Sequence, residues 1–316
     1  MISRLIRFKK YIKEQLDYIS FKRALNQKKL VLTLNGGFGD VVLSVQFIKA
    51  IKEKNRDLKV TVYYRDNLME SSPENYSWGK TRHFLKTDGS RVNPIKEWLE
   101  ACHVADEIIG ADIDSHTYGY RMYPEVMSRK FFGYLSPEAY RDRILKNVLY
   151  FDNMSIAARR KYTSSIKNNK LNIAIHLRRN SEKIIEIAKI LQKKYDPTFI
   201  VLGSTEHQVV PDLTELTNKV ILLDSYKQGI STLDVLTIST SCSLFIGGRG
   251  GFELVHWLAG TPSICVFDDM GFKEIEQGWW DPALWTNNSI NQLFRDSDPN
   301  TLIVDKVSAY ITEYIN

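Results

Sequence analysis

The sequence predicts an α/β fold of two Rossmann-like domains with an interdomain cleft. Three observations carry that expectation. Short apolar, β-type runs alternate with helix-period segments from residue 29 onward, the pattern of parallel sheets covered by helices. A glycine turn follows a strand and opens a helix twice, at Gly36–Asp40 and at Gly247–Gly251. The length of 316 residues suits two domains of roughly 150 residues better than one.

Residues 1–26 read as a basic amphipathic helix. Ile2, Leu5, Phe8, Ile12, Leu16 and Ile19 recur at spacings of three and four and share one face, while Arg4, Arg7, Lys9, Lys10 and Lys13 cover much of the rest. The frequent charges exclude a signal peptide. Such a helix suits an anionic membrane surface, or packing on its own domain with a solvated basic face. Residues 27–165 form the first domain. Lys29–Leu34 is a strand, the glycine turn follows, residues 41–54 are helical and Leu58–Tyr64 is the next strand, which together make a βαβ unit. The stretch 70–165 is rich in Tyr and Arg and gives no regular pattern; irregular loops and short helices are expected there.

Residues 166–300 form the second domain. Strands are expected at 171–177, 198–203, 219–223, 243–247 and 262–267, and helices at 181–194, 233–241 and 252–259. The Trp-rich stretch 278–285 reads as a loop, and residues 301–316 as a final helix. Two βαβ systems place ligands at the carboxyl ends of two sheets, and the cleft where those ends face each other is the natural site.

The chain carries 43 Lys and Arg against 37 Asp and Glu, a net charge of +6. That excess favours an anionic partner. The three cysteines, Cys102, Cys242 and Cys265, are scattered and form no CxxC. This argues against a disulfide framework or zinc site and for a reducing compartment. Cys242 and Cys265 read as small core residues. No stretch reaches the roughly 20 apolar residues of a membrane span.

Three segments carry candidate chemistry. In the first, Gly37, Phe38 and Gly39 allow a tight turn at a helix start, which suits an anion or a polar sugar. Asp40 reads either as a helix cap or as a general base for a hydroxyl. The run is not a full GxGxxG and no acid stands clearly at the end of the following strand, so a nicotinamide dinucleotide is not favoured. In the second, His176-Leu-Arg178-Arg179 ends a strand, and its guanidinium groups suit a pyrophosphate, with Lys183 adding a third cation. His176 itself reads as a packed or hydrogen-bonded histidine. In the third, Gly247, Gly248, Gly250 and Gly251 surround Arg249 between strand and helix, an arrangement suited to an anion. Glu253 reads as a ribose-hydroxyl acceptor or as a charge complementing the helix dipole. Asp112-Ile-Asp114, or Asp296 with Asp298, could hold a divalent ion, but no other metal-ligand cluster accompanies them, and no metal or cofactor is expected.

These segments resemble the GT-B glycosyltransferases, especially the bacterial heptosyltransferase-like family. Gly39-Asp40-Val-Val-Leu resembles that family's N-terminal Gly-Asp motif, which implies Asp40 as catalytic base. Val201-Leu-Gly203-Ser-Thr-Glu206 is similar to its strand-glycine-acid segment, which implies that Gly203 and Glu206 lie near the nucleotide. Residues 233–267 resemble its nucleotide-sugar segment. The likeness covers residues 30–65 and 171–268. Where the family has Asp-Ser/Thr-Gly and then histidine, this chain has Arg249-Gly250-Gly251 and a displaced His256, which implies a remodelled donor pocket. His176-Leu-Arg-Arg179 is similar to the His-x-Arg-Arg motif of GDP-fucose-dependent fucosyltransferases, which points to a GDP-sugar. The fold also implies that the final helix crosses back to brace the first domain.

The expectation is therefore a metal-independent, cytoplasmic glycosyltransferase, peripheral at the inner membrane face. It uses a nucleotide-sugar and a glycan or lipid-linked glycan acceptor of the cell surface, and binds no nucleic acid. Three alternatives stand beside it: a GT-B-fold nucleotide-sugar epimerase, a metal-dependent transferase using Asp112 and Asp114, and a non-catalytic module binding anionic glycan or nucleic acid.

Overall fold

The computed structural model describes residues 19–34, 37–66, 84–85, 91–113, 118–122, 149, 154–167, 170–177, 180–203, 213, 216, 220–224, 230–276 and 291–314. Residues 19–26 are helical (α1). They are followed by β1 (Lys29–Leu34), α2 (Phe38–Lys54), β2 (Lys59–Arg65), the short pair β3 (Phe84–Leu85) and β4 (Arg91–Val92), α3 (Pro94–Cys102), β5 (Glu107–Ala111) and β6 (Tyr120–Met122). Next come α4 (Ile156–Ser165), β7 (Asn172–His176), α5 (Ser181–Tyr195), β8 (Thr198–Gly203), β9 (Val220–Asp224), α6 (Thr232–Thr240), β10 (Leu244–Gly248), α7 (Gly251–Ala259), β11 (Ser263–Phe267), α8 (Asp269–Glu276), β12 (Asn291–Arg295) and α9 (Asn300–Tyr314).

Two parallel sheets result. The first runs β5-β2-β1-β6 and the second β12-β11-β10-β7-β8-β9. Counted along each half, the second sheet has the order 3-2-1-4-5-6 of a doubly wound dinucleotide fold, and the first has its 3-2-1-4 portion. Chain order reverses between β7 and β10, and between β1 and β6. Those two points are where ligand crevices open at the strands' carboxyl ends.

The strands form because their residues fit these surroundings. β7, β10 and β11 are buried along their whole length, as a parallel sheet covered on both faces requires. Their alternate residues feed two cores. Ala174, Phe245 and Cys265 face one, and Ile173, Ile175, Leu244 and Ile246 the other. The first core is continuous with the β1–α2–β2 packing, so Leu32, Val42 and Val62 share a cluster with Leu254, Val255 and Trp257. The two halves are thus joined by buried apolar contact along α2 and α7.

Several expectations change. Among the described residues, the final helix packs within the second half and does not brace the first. Ile303, Val304, Val307 and Ile311 of α9 are buried in the core that lies behind α5. Asn300 Nδ2 donates to Glu186 at 2.6 Å and Lys194 Nζ to Ser308 Oγ at 3.0 Å. Its apolar stripe is satisfied within the second half. α4 is tied to α6: the Ser155 N–H and hydroxyl each donate to Asp234, at 2.8 Å. The 70–165 stretch holds more order than expected, since α3, β5 and β6 all fall in it. Of the amphipathic N-terminal helix, residues 1–18 lie outside the described residues. Its end, α1, buries Phe21 against Tyr120, with rings 5.6 Å apart. All three cysteines are free and buried. No described helix is long and apolar enough to cross a membrane.

Candidate functional site

The site is built where the two glycine turns meet. α2 starts after Gly37, its N-cap. Asp40 lies one turn inside the helix and reaches back, so that the Gly37 N–H donates to its Oδ2 at 2.7 Å. Asp40 is therefore not the N-cap, but its carboxylate is held at the helix start, where the backbone dipole favours a negative charge. α7 starts after Gly250, close beside it. A Cβ on Gly39 would stand 3.2 Å from Gly251 Cα, and one on Gly251 would stand 2.8 Å from the Gly39 nitrogen. These two glycines let one backbone approach the other. Gly37 is different: a Cβ there meets nothing within 4 Å, so the turn is open on that side.

Rings cross the same junction. Phe38 packs edge-on against Trp98 of α3 (5.5 Å) and against Phe252 of α7 (6.3 Å), and Phe252 stacks on His176 at the end of β7 (4.7 Å). Phe38, expected to touch a ligand, is the central ring of this bridge. His176 is packed, as its sequence context implied. The bridge joins the start of α2 to the carboxyl end of β7. Arg178, Arg179 and Glu206 lie outside the described residues. Gly203 ends β8, in register with Asp224 of β9.

Arg249 lies at the carboxyl end of β10, only 9% exposed. Its Cδ runs along α8, 3.1 Å from where a Cβ on Gly271 would be. Gly248 is buried at the strand end, and Gly250 and Gly251 are partly exposed. Gly247 has a packing reason of its own, since a Cβ there would lie 2.6 Å from the Phe245 ring. The neighbouring strand ends are also tied down. Asn180, in the left-handed region at φ 53, donates from Nδ2 to the Val266 carbonyl at 2.9 Å, and Asp268 accepts the Gly271 N–H at 2.7 Å. Lys183 serves this frame. Its ammonium bonds the carbonyls of Asp296 and Asp298 at 2.6 and 2.5 Å, beyond β12. Glu253 is fully buried in the first turn of α7. Its charge adds to burial in raising the Cys265 thiol. Its place in the first turn puts the carboxylate where the helix dipole favours a negative charge.

The first sheet adds residues that the sequence reading missed. β2 runs one residue further than expected, so Asp66 does stand at the end of the strand after the glycine turn. This corrects the expectation that no acid stands there. It is exposed, accepts a hydrogen bond from Asn93 Nδ2 at 3.2 Å, and lies over Gly110, where a Cβ would come within 2.6 Å of its Oδ2. With Glu100 it adds to the burial that raises the Tyr64 phenol to about 12. Arg65 beside it is buried. Among the described residues no group of His, Cys, Asp or Glu forms a metal-binding cluster. Asp112 is described and Asp114 is not, so the Asp112–Asp114 pair lies partly outside the described residues. Asp298 is used locally, accepting the Arg295 N–H at 2.7 Å.

Protein-family models and curated protein sequences give no match to this chain. Solved structures do. A glycosyl transferase family 9 structure from Veillonella parvula aligns over 90% of this chain and 97% of its own, at 11% identity and a TM-score of 0.51. The ADP-heptose lps heptosyltransferase II of E. coli aligns over 90% and 99%, at 10% identity and a TM-score of 0.54. Two doubly wound parallel sheets meeting through the Gly39 and Gly251 turns, together with this likeness, define the fold as that of the GT-B glycosyltransferases.

Proposed function

We propose that this chain is a metal-independent glycosyltransferase. It transfers a sugar from a nucleoside-diphosphate sugar to a hydroxyl of a glycan or lipid-linked glycan, working in the cytoplasm at the inner membrane face. The observation that carries the reading is the Gly39–Gly251 contact. It brings the helix start bearing Asp40 and the turn bearing Arg249 together from the carboxyl ends of two sheets. In this reading the Asp40 carboxylate takes the proton of the acceptor hydroxyl as that oxygen bonds to the anomeric carbon. The bond from that carbon to the diphosphate oxygen breaks, and the nucleoside diphosphate leaves with the electron pair. Arg249, the N–H groups of Gly248–Gly251, and Arg178 and Arg179 at the end of β7 stabilise that charge, in the role a metal ion would otherwise fill. Gly37 and its open surroundings receive the acceptor. The short His176-Leu-Arg-Arg179 run favours a GDP-sugar, and the resemblance of residues 201–206 to the family's strand-glycine-acid segment assigns Gly203 and Glu206 to nucleotide binding.

Thermal-shift binding against GDP, UDP, ADP, CMP and NAD, with and without EDTA, tests this. A ligand at about 100 times its dissociation constant adds about 2.7 kcal/mol of stability. The expected result is an EDTA-insensitive shift with one nucleoside diphosphate, lost in Arg249→Ala. A shift that disappears with EDTA overturns the metal-independent mechanism. A shift only with nucleic acid or an anionic glycan overturns the transferase reading in favour of a binding module.

A further inference from the structure

From Asn153 to Ser181 the chain contains no Asp or Glu but seven Lys and Arg. α4 lies in this acid-free stretch. Its inner side is fixed: Ala158 and the following Ile166 are buried, and Ser155 caps the helix while bonding Asp234. Its outer side carries Ile156, Arg160, Thr163, Ser164 and Lys167, all exposed and spaced so that they share one stripe. Arg159 and Lys161 flank it, partly exposed. Ile156 is 65% exposed at the head of the stripe. Among the described residues no carboxylate pairs with Arg159, Arg160, Lys161 or Lys167.

We infer that the outer face of α4 docks on an anionic lipid bilayer, with Arg160, Lys161 and Lys167 on the headgroup phosphates and Ile156 inserted at the acyl boundary. An apolar tip in line with unpaired cations is the composition of an interfacial helix. A nucleic acid would use the cations but not Ile156, and the stripe offers no aromatic ring for a base to stack on. Because α4 is pinned to α6, it presents this face without needing to fold on the membrane. The inference deepens the proposed membrane-face location and rests on that part of the reading, but it does not depend on sugar transfer, since docking needs no donor.

The test is flotation of the full chain with vesicles of phosphatidylcholine alone and of phosphatidylcholine with phosphatidylglycerol. The parent should float only with the anionic vesicles. Each reversed cation should weaken partitioning by about fivefold or more, so Arg160→Glu/Lys161→Glu/Lys167→Glu should fall by more than about a hundredfold. Ile156→Ser should weaken it with all charges intact. These positions are at the surface, and unchanged melting and unchanged nucleoside-diphosphate binding would separate a docking defect from misfolding or from failure of the transferase reading. Lys9→Glu/Lys10→Glu measures the share of the N-terminal segment. The inference is overturned if the parent ignores anionic vesicles. Parent-like flotation of the α4 triple variant, with loss only in Lys9→Glu/Lys10→Glu, also overturns it. So does tight duplex-DNA binding that accounts for the cations while Ile156→Ser floats like the parent.

Discussion

His256 is fully buried on α7, its ring stacked 4.0 Å from that of Phe245 and its Nδ1 2.7 Å from the Phe252 carbonyl. A carbonyl only accepts, so Nδ1 carries the proton and donates. Burial pushes the imidazole down to about 4, with backbone hydrogen bonds offsetting part of the effect. The unfolded chain therefore binds a proton near pH 6.5 that the folded chain refuses until about pH 4. Between those values the unfolded state holds more protons, so stability rises with pH and is lost on acidification. The slope is about 1.4 kcal/mol per pH unit, and the total about 3 kcal/mol. Melting temperature measured from pH 7 to 4 should drop more steeply for the parent than for His256→Gln, which starts less stable but lacks this proton. Parallel curves would show that the ring is already protonated or solvated in the folded chain. Trp257 and Leu258 beside it are core, and the ring's hydrogen bonds go to the Phe252 and Ser239 backbone.

At the scale of elements, the join between α4 and α6 rests on one carboxylate. Asp234, 4% exposed, accepts from the Ser231 N–H (2.9 Å) and from the N–H and hydroxyl of Ser155, while Ser231 Oγ accepts the Asp234 N–H at 3.0 Å. One side chain thus caps α6 and anchors the start of α4, which leads into β7. Asp234→Ala leaves several buried donors unpaired, and denaturant unfolding should report a loss of about 2–4 kcal/mol; a loss below about 1 kcal/mol would mean that water replaces the carboxylate. This cap was partly legible, because Ser231 followed by an acid three residues later is a helix-start signature, but nothing local signals Ser155, 79 residues away. The same contrast holds across the chain. β1, β7, β8, β10 and β11 stood out because buried parallel strands are continuous apolar runs. α3 was readable in principle: Asn93 caps it through Ile95 and Lys96, Pro94 follows, and Ile95, Trp98, Leu99 and Cys102 recur at helical spacing. The surrounding Tyr and Arg residues obscured it. β6, three residues long, is too short for any periodicity, and its place beside β1 is set by Thr33, whose hydroxyl bonds the Tyr118 backbone.

At the scale of the whole molecule, the sequence located both glycine turns but not their relation. Local pattern says that a glycine is needed and leaves open whether a ligand, a turn or another backbone needs it. In this fold the need at Gly39 and Gly251 comes from the other half of the chain, more than two hundred residues away in sequence. Phe38, between them, became part of a ring bridge for the same reason. The glycines of the two turns should consequently differ in tolerance. Gly37→Ala adds a methyl group in open space and should cost less than about 1 kcal/mol, the difference between glycine and alanine at a helix cap. Gly251→Ala places a methyl carbon 2.8 Å from both the Gly39 nitrogen and Phe38 Cδ1. Backbone cannot rotate away as a side chain can, so α2 and α7 must separate. That should cost about 1–3 kcal/mol in denaturant unfolding. Gly39→Ala meets Gly251 from the other side at 3.2 Å and should act in the same direction with a smaller effect. The double variant should then be less harmful than the sum of the two, because the first methyl group has already parted the helices. Equal tolerance at Gly37 and Gly251 would mean that the two helix starts are apart in solution, and that the glycines serve a ligand rather than each other.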